Sequence, residues 1–308
     1  MFLDEDLISI ANRSIWSEIS VGFFTVNAPL GNNVLLSSGV HPEEEATAIS
    51  VNNIMNDTSF IKSLSNIKLY VVPCRNSIGN NLNRVLIESD ISECISDSIG
   101  KMLISKDSAL FIPSDRCIQK GTLFMFEYIQ LLLRRISFVG FVNIVSMRKT
   151  QSLCSNTYYF NKTSLVDLNA INEDLDKNFV YSINNLHKLC SPKIHIDVHE
   201  GLGDAAYIYT NEKDDLLLNI ARNVITHCIS EHIPIRTEAS DRIKIEDGIY
   251  SISSLNSLKK SHYPLILIEG GIDGKWERRI GLLESIVRNC LMNINEYYGK
   301  AFDNTFDQ

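Results

Sequence analysis

Short runs of β-branched and aliphatic residues at 33–40, 67–73, 193–199 and 263–269 stop abruptly in polar residues, with helix-like segments between them. Two parallel strands cannot be joined by a tight turn, so a chain built this way needs crossover helices. Those helices must lie on the faces of the sheet. Apolar residues recurring at three and four mark the helical segments 43–55, 172–189, 214–232 and 276–298. The expected fold class is therefore α/β: a mixed, mostly parallel sheet with helices on both faces. A chain of 308 residues, 44% hydrophobic, has material for a substantial core. We expect one domain over 1–308, with an insertion at about 84–160, where the pattern loosens into a serine- and isoleucine-rich stretch plus a helix around 121–135.

Composition excludes several classes of function. The net charge is −8, and Lys and Arg are scattered with no basic stripe, so nucleic acid is not an expected partner. Seven cysteines at 74, 94, 117, 154, 190, 228 and 290 include no CxxC pair and are odd in number, which suits a reduced, cytoplasmic chain. The opening MFLDEDLISI carries acids where a secretory signal needs a basic flank. The most apolar stretch, 123–145, contains Glu127, Arg134 and Arg135. It reads as a buried or amphipathic helix, and no membrane is expected as a partner. Nothing in the sequence fixes the oligomeric state.

Three segments carry chemistry. In VLLSSGVHPEEEA a strand-like run ends before His41, and a helix opens among glutamates that include Glu44. An imidazole and a carboxylate offered three residues apart at such a turn suit Zn²⁺, which takes few ligands and keeps one position open. With seven histidines and 37 acidic residues, roughly one such H-x-x-E/D pair arises by chance, and the bland alternative is a solvated helix N-terminus. In PKIHIDVHEGLGD, the two-residue period of a strand puts His195, Asp197 and His199 on one face, with Ile194, Ile196 and Val198 on the other. His199, at the strand end before Gly201 and Gly203, is the better ligand, and His195 reads as a supporting or structural residue. In HYPLILIEGG an apolar strand ends on a lone carboxylate, Glu269, which is either the solvated start of a loop or a buried base. Three strands ending in His41, His199 and Glu269 fit the rule that functional groups gather outside the carboxyl ends of open α/β sheets.

These segments resemble, in order, the elements of the zinc carboxypeptidase superfamily, which includes carboxypeptidase A-like enzymes and the succinylglutamate desuccinylase/aspartoacylase-like deacylases. GVHPEEEA is similar to the H-x-x-E zinc element, VVPCRNSIG to the strand with its Asn-Pro-x-Gly turn, and SLVDLNAIN to the Asp-Leu-Asn-Arg element. IHIDVHEG is similar to the strand bearing the third ligand, and LILIEGG to the strand ending in the catalytic glutamate. The resemblance runs over roughly 30–290, apart from about 80–160.

It implies a phosphorylase/hydrolase-like fold and one Zn²⁺ held by His41, Glu44 and His199, with a water in the open fourth position. Glu269 becomes the base that activates that water, and Asp167 the carboxylate that orients a ligating histidine. Arg148 falls where the family places an arginine polarising the carbonyl, and Tyr250 near the region of its mobile tyrosine. Asn169 and Arg84, the latter in an alternative Asn-Arg match, become substrate-binding residues. One departure stands out: the arginine that clamps a substrate's terminal carboxylate is replaced by Ala170, and a methyl group cannot do that work. The implied activity is metallocarboxypeptidase-like hydrolysis of an amide in a peptide or peptide-like substrate. The alternatives are a deacylase of N-acyl amino acids and a catalytically inactive binding member of the family.

Overall fold

The computed structural model describes residues 22–26, 32–41, 44–76, 91–106, 108–147, 153–201, 203–238, 242–255, 258, 263–271 and 275–303. The acidic opening segment, Arg84 and Arg148 lie outside these residues. Contacts divide the chain into two compact units, one centred on Asn76–Ser182, the other formed by Ile19–Val40, Glu44–Arg75 and Ile183–Gln308.

The second unit begins with β1 (Phe24–Val26), β2 (Asn32–Ser38), helices α1 (Glu45–Asn56) and α2 (Thr58–Ser63), and β3 (Ile67–Val72). The chain then builds the other unit. Strands β4 (Glu93–Ser96), β5 (Gly100–Ile104) and β6 (Ser108–Pro113) lead into helices α3 (Asp115–Lys120) and α4 (Thr122–Arg135), and β7 (Gly140–Met147), β8 (Leu153–Phe160), β9 (Leu165–Asp167) and α5 (Glu173–Asn178) follow. It returns with α6 (Ile183–Cys190), β10 (Ile194–Gly201), β11 (Tyr207–Thr210), α7 (Asp215–Ser230), β12 (Lys244–Glu246), β13 (Ile249–Ser251), β14 (Leu265–Gly271) and the long α8 (Trp276–Asp303).

The larger sheet runs β1-β3-β2-β10-β14-β11-β13-β12. Its centre is parallel: β3 with β2, β2 with β10, and β10 with β14, as the four apolar runs required. Antiparallel pairs appear towards both edges, so the sheet is mixed. Alternation along β10 sorts the two faces. Ile194, Ile196 and Val198 join Val34, Leu36, Ile266 and Ile268 in one core, closed by Val51 and Ile54 of α1, Val224 of α7 and Val287 and Leu291 of α8. The opposite face carries Tyr207, Tyr209, Leu265 and Leu267, against which Ile183 of α6 packs. Helices thus lie on both faces, with α1, α2, α7 and α8 against one and α6 against the other.

The 76–182 unit has its own six-stranded sheet, β4-β5-β6-β7-β8-β9, antiparallel except for β6 with β7. Its separate core joins Phe111, Val142 and Phe160 to Ile129 and Leu133 of α4. The 123–145 run is divided between α4 and β7, with the helix amphipathic as expected and a strand where helix was expected to continue. Among the described residues no helix is long and apolar enough to cross a membrane. The continuous helix expected over 172–189 is two helices. Asn172 caps α5, its side chain accepting from the backbone of Asp174 and Leu175, and Phe179 closes it in an extended conformation. Phe179, Val180 and Tyr181 are poor helix formers, and the chain passes from one unit to the other directly after them.

Ile196 is fully buried on the helix-covered face, with its neighbours His195 and Asp197 turned the other way. Replacing it with Ala should cost about 2–5 kcal/mol of stability. Urea unfolding should show a lower midpoint with an unchanged slope.

Candidate metal centre

The site is assembled where β2, β10 and β14 end. After Ser38 the chain must turn past the end of β3, and Gly39 does this at φ +64°. A Cβ at Gly39 would lie 3.2 Å from both the Cys74 Cα and the Pro73 carbonyl oxygen, so the turn needs a glycine on both counts. The Ser38 hydroxyl donates to the Pro73 carbonyl at 2.6 Å, and the Arg75 amide donates to the Ser38 carbonyl at 2.9 Å, holding the two strand ends together. Glu44 then takes the N-cap position of α1 without using its carboxylate as a cap. Thr47 anchors the turn instead: its hydroxyl donates to the Glu44 carbonyl at 2.6 Å and accepts from the Gly39 amide at 3.2 Å. The Glu44 side chain is left pointing at His199, its Oε2 lying 3.1 Å from the imidazole Nδ1. One potential ligand atom from each of His41, Glu44 and His199 lies within 4.8 Å of the other two.

The other nitrogen of His199, Nε2, is 3.1 Å from Asp197 Oδ2. Asp197 is itself fully enclosed. It accepts from the Arg75 guanidinium at 2.9 Å and from the Ser37 hydroxyl at 2.5 Å, and neither ion-pair partner is exposed. Burial alone would raise the Asp197 pKa, but Arg75 first and His199 second hold it well below the usual carboxylate range. Burial likewise opposes charge on His199, yet the Glu44 and Asp197 carboxylates on either side outweigh it and raise the imidazole to about 10. An imidazole between two carboxylates is a place where positive charge is strongly favoured, and a divalent cation can supply that charge in place of a proton.

Polar contacts continue along the same strand face. Ser37 Oγ is 2.8 Å from His195 Nε2, and His195 Nδ1 is 3.0 Å from His187 Nε2 on α6. Burial pushes His195 well below an ordinary histidine and brings His187 down to about 4, so both are neutral links. His187 stacks on Tyr263 with ring centroids 3.8 Å apart. Beyond the strand's polar run, Glu200 is clasped by Arg279 through two contacts of 2.6 Å.

Glu269 lies two residues before the end of β14, in direct register with His199 on β10 and with Tyr207 on β11. The three residues therefore form one row across adjacent strands on the polar face. Gly201 makes room beside this row. A Cβ there would run into the Tyr207 hydroxyl and come within 3.0 Å of Glu269 Oε2.

The remaining expected residues take different places. Asp167 lies beside the candidate ligand His41, its Oδ1 3.9 Å from the imidazole Nε2 and within ion-pair range, and it accepts from the Asn169 amide at 2.7 Å. The carboxylate hydrogen-bonded to His199 is Asp197. Its signal in the sequence was its place on the polar side of the IHIDVH alternation. Asn169 is buried. Tyr250 corrects the expectation of a mobile catalytic tyrosine: it is fully buried among Tyr207 and Tyr209, with its hydroxyl donating to the Arg236 carbonyl at 2.9 Å. Its position upstream of Glu269 carried no information about burial, and the β11–β13 pairing places it inside.

No protein-family model matches the chain, and no curated protein matches it significantly. Solved structures with a similar chain path include a candidate metallopeptidase from Shewanella amazonensis SB2B (14% identity, 94% of this chain and 91% of that one covered, TM-score 0.49). A metallo-carboxypeptidase from Burkholderia cenocepacia is similar at 8% identity, with 94% and 68% covered and a TM-score of 0.46. An aspartoacylase family protein from Mesorhizobium loti is similar at 12% identity, with 89% and 61% covered and a TM-score of 0.38. The likeness is one of chain path.

Arg75→Met should leave Asp197 buried without its main counter-charge and cost about 3–5 kcal/mol at neutral pH. Asp197 has a depressed folded-state pKa, so its contribution is present above the unfolded aspartate value and lost as pH falls towards the folded one. The variant's deficit should therefore narrow below about pH 4. Urea midpoints for both proteins across that range check the sign.

Proposed function

We propose that this chain is a zinc-dependent amide hydrolase of the zinc carboxypeptidase type, with His41, Glu44 and His199 as metal ligands and Glu269 as general base. The observation that carries the reading is the convergence of three ligand atoms within 4.8 Å, with Glu269 one strand away in register with His199. Two nitrogens and one carboxylate oxygen form a donor set suited to Zn²⁺ with a position left open. A bound Zn²⁺ would act there as a Lewis acid towards the scissile carbonyl.

The chain's own residues have separable tasks. Asp197 accepts at His199 Nε2, fixing the tautomer that turns Nδ1 towards Glu44 and the cation position, while Arg75 and Ser37 keep Asp197 ionised and immobile. Glu269 takes the proton of the attacking water on a carboxylate oxygen and delivers it to the departing amine nitrogen. Tyr207, alongside in the same row, limits water around that carboxylate.

The substrate is a peptide or peptide-like amide. Ala170 removes the arginine on which ordinary carboxypeptidase recognition depends, which favours a specialised substrate such as an N-acyl amino acid over a general peptide terminus.

Zinc content measured on purified protein should be one ion per chain, and His199→Ala or Glu44→Gln should abolish it. Glu269→Gln should keep the zinc and lose hydrolysis of a panel of N-acyl amino acids and dipeptides. A wild-type chain that neither carries nor takes up zinc would refute the reading and leave a binding function. Gly201→Ala should also retain zinc while lowering kcat, because the added methyl displaces the Tyr207 hydroxyl and crowds Glu269.

A further inference from the structure

Two further histidines stand behind the proposed ligand His199, and Asp197 dictates where each carries its proton. Asp197 is ionised beside the buried Arg75 guanidinium, 2.9 Å away, and an ionised carboxylate can only accept. The Ser37 hydroxyl, 2.5 Å from Asp197 Oδ1, therefore commits its single proton there. Ser37 Oγ also lies 2.8 Å from His195 Nε2, so in that contact it accepts and the proton sits on Nε2. His195 is fully enclosed, and burial keeps the ring neutral, which leaves Nδ1 bare. His187 Nε2, 3.0 Å from that nitrogen, is then the donor. Every donor from His187 inward points the same way, and the series ends on the carboxylate that accepts from His199 Nε2.

The outer end of the series is fixed as well. Tyr263 stacks on the His187 ring with centroids 3.8 Å apart, and its hydroxyl donates to Asn184 of the same helix, α6, at 2.6 Å. At the other end of α6, the Cys190 carbonyl accepts from the Asn33 side chain of β2 at 2.7 Å. An aliphatic or aromatic residue at position 195 would fill the same space and bury no polar atoms. It would not occupy the Ser37 lone pair, and the hydroxyl proton would lose what keeps it on Asp197. In a series of hydrogen bonds each link also polarises the next, so the inner contacts gain from the outer ones.

We infer that His195 and His187 are positioning residues of the metal centre: each with its proton on Nε2, they hold the Ser37 hydroxyl on Asp197 and, through Asp197, the ring of His199. The inference rests on the hydrolase reading above for the metal that His199 would hold, whereas the placement of the ring protons belongs to the chain itself.

The test is NMR of the imidazole ring nitrogens and protons in the full chain, zinc-loaded and zinc-free, together with zinc affinity measured by competition with a chelating indicator. His187 and His195 should both show a proton on Nε2 and a bare Nδ1. His195→Phe keeps the ring volume and removes the donor. It should weaken zinc binding by about 10–100-fold, the loss that removal of an outer hydrogen-bond partner causes at metal centres. His195→Gln can still present an N–H to Ser37 and should recover most of that loss, which a histidine that merely fills space would not allow. Should His195→Phe fail to fold, His187→Leu decides from the α6 end: it should free the His195 proton to occupy either nitrogen and weaken zinc binding in the same direction. A proton on His195 Nδ1 in wild type, equal zinc affinity in wild type and His195→Phe, or a loss that glutamine does not relieve overturns the positioning role and leaves the hydrolase reading intact. A wild-type chain that takes up no zinc removes the hydrolase reading. The positioning role is then judged in the zinc-free chain, where His195→Phe should shift the His199 ring signals and unshifted signals overturn it.

Discussion

The buried ion pair between Arg75 and Asp197 is the constraint around which the candidate metal-binding end of the larger sheet is organised. Both side chains are closed off from water, and Asp197 sits in the central strand, where most residues would be aliphatic. A carboxylate can be held there only if both its oxygens are hydrogen-bonded. Arg75 and His199 bond one oxygen and Ser37 the other, each from a different place in the chain. Because the same carboxylate accepts from His199, the pair also sets the orientation of that imidazole. The aliphatic face of β10 behind it, packed in the helix-covered core, keeps the strand from shifting by a residue and exchanging its polar face for its apolar one.

Parallel pairing is what brings the chemical groups to one end. β2, β10 and β14 lie side by side and run the same way, so the residues that follow or close them share one edge of the sheet. His199 and Glu269 become neighbours through register, although seventy positions separate them in the chain. Tyr207 joins the row from an antiparallel neighbour. Tyr250, from the next strand out, fixes the backbone of Arg236 and serves the same face from beneath. The aromatic cluster and His199 are thus two parts of one sheet face.

Much of this architecture was legible in the residues. Four apolar runs mark the parallel centre to within two residues at each end, and the alternation in IHIDVH by itself separates a chemical face from a packing face. The expected 172–189 helix did not survive, because apolar periodicity says nothing about a chain leaving one compact unit for another. The 84–160 region was unreadable for a different reason. Its strands pair mostly antiparallel, within one small sheet whose partners are set by hairpins and short connections, and they lack the long apolar runs of strands covered on both sides.

By itself the sequence determined which residue types could serve a metal-dependent reaction, and that they end separate strands: local periodicity decides which way a side chain points from its own strand or helix. Only the tertiary structure decided which carboxylate orients His199, that Tyr250 is enclosed, and that hydrogen bonds run from His187 on α6 through His195 and Ser37 to Asp197. Those are facts about distance between remote segments. They follow from strand order, register and helix packing, and no pattern confined to one stretch of the chain encodes them.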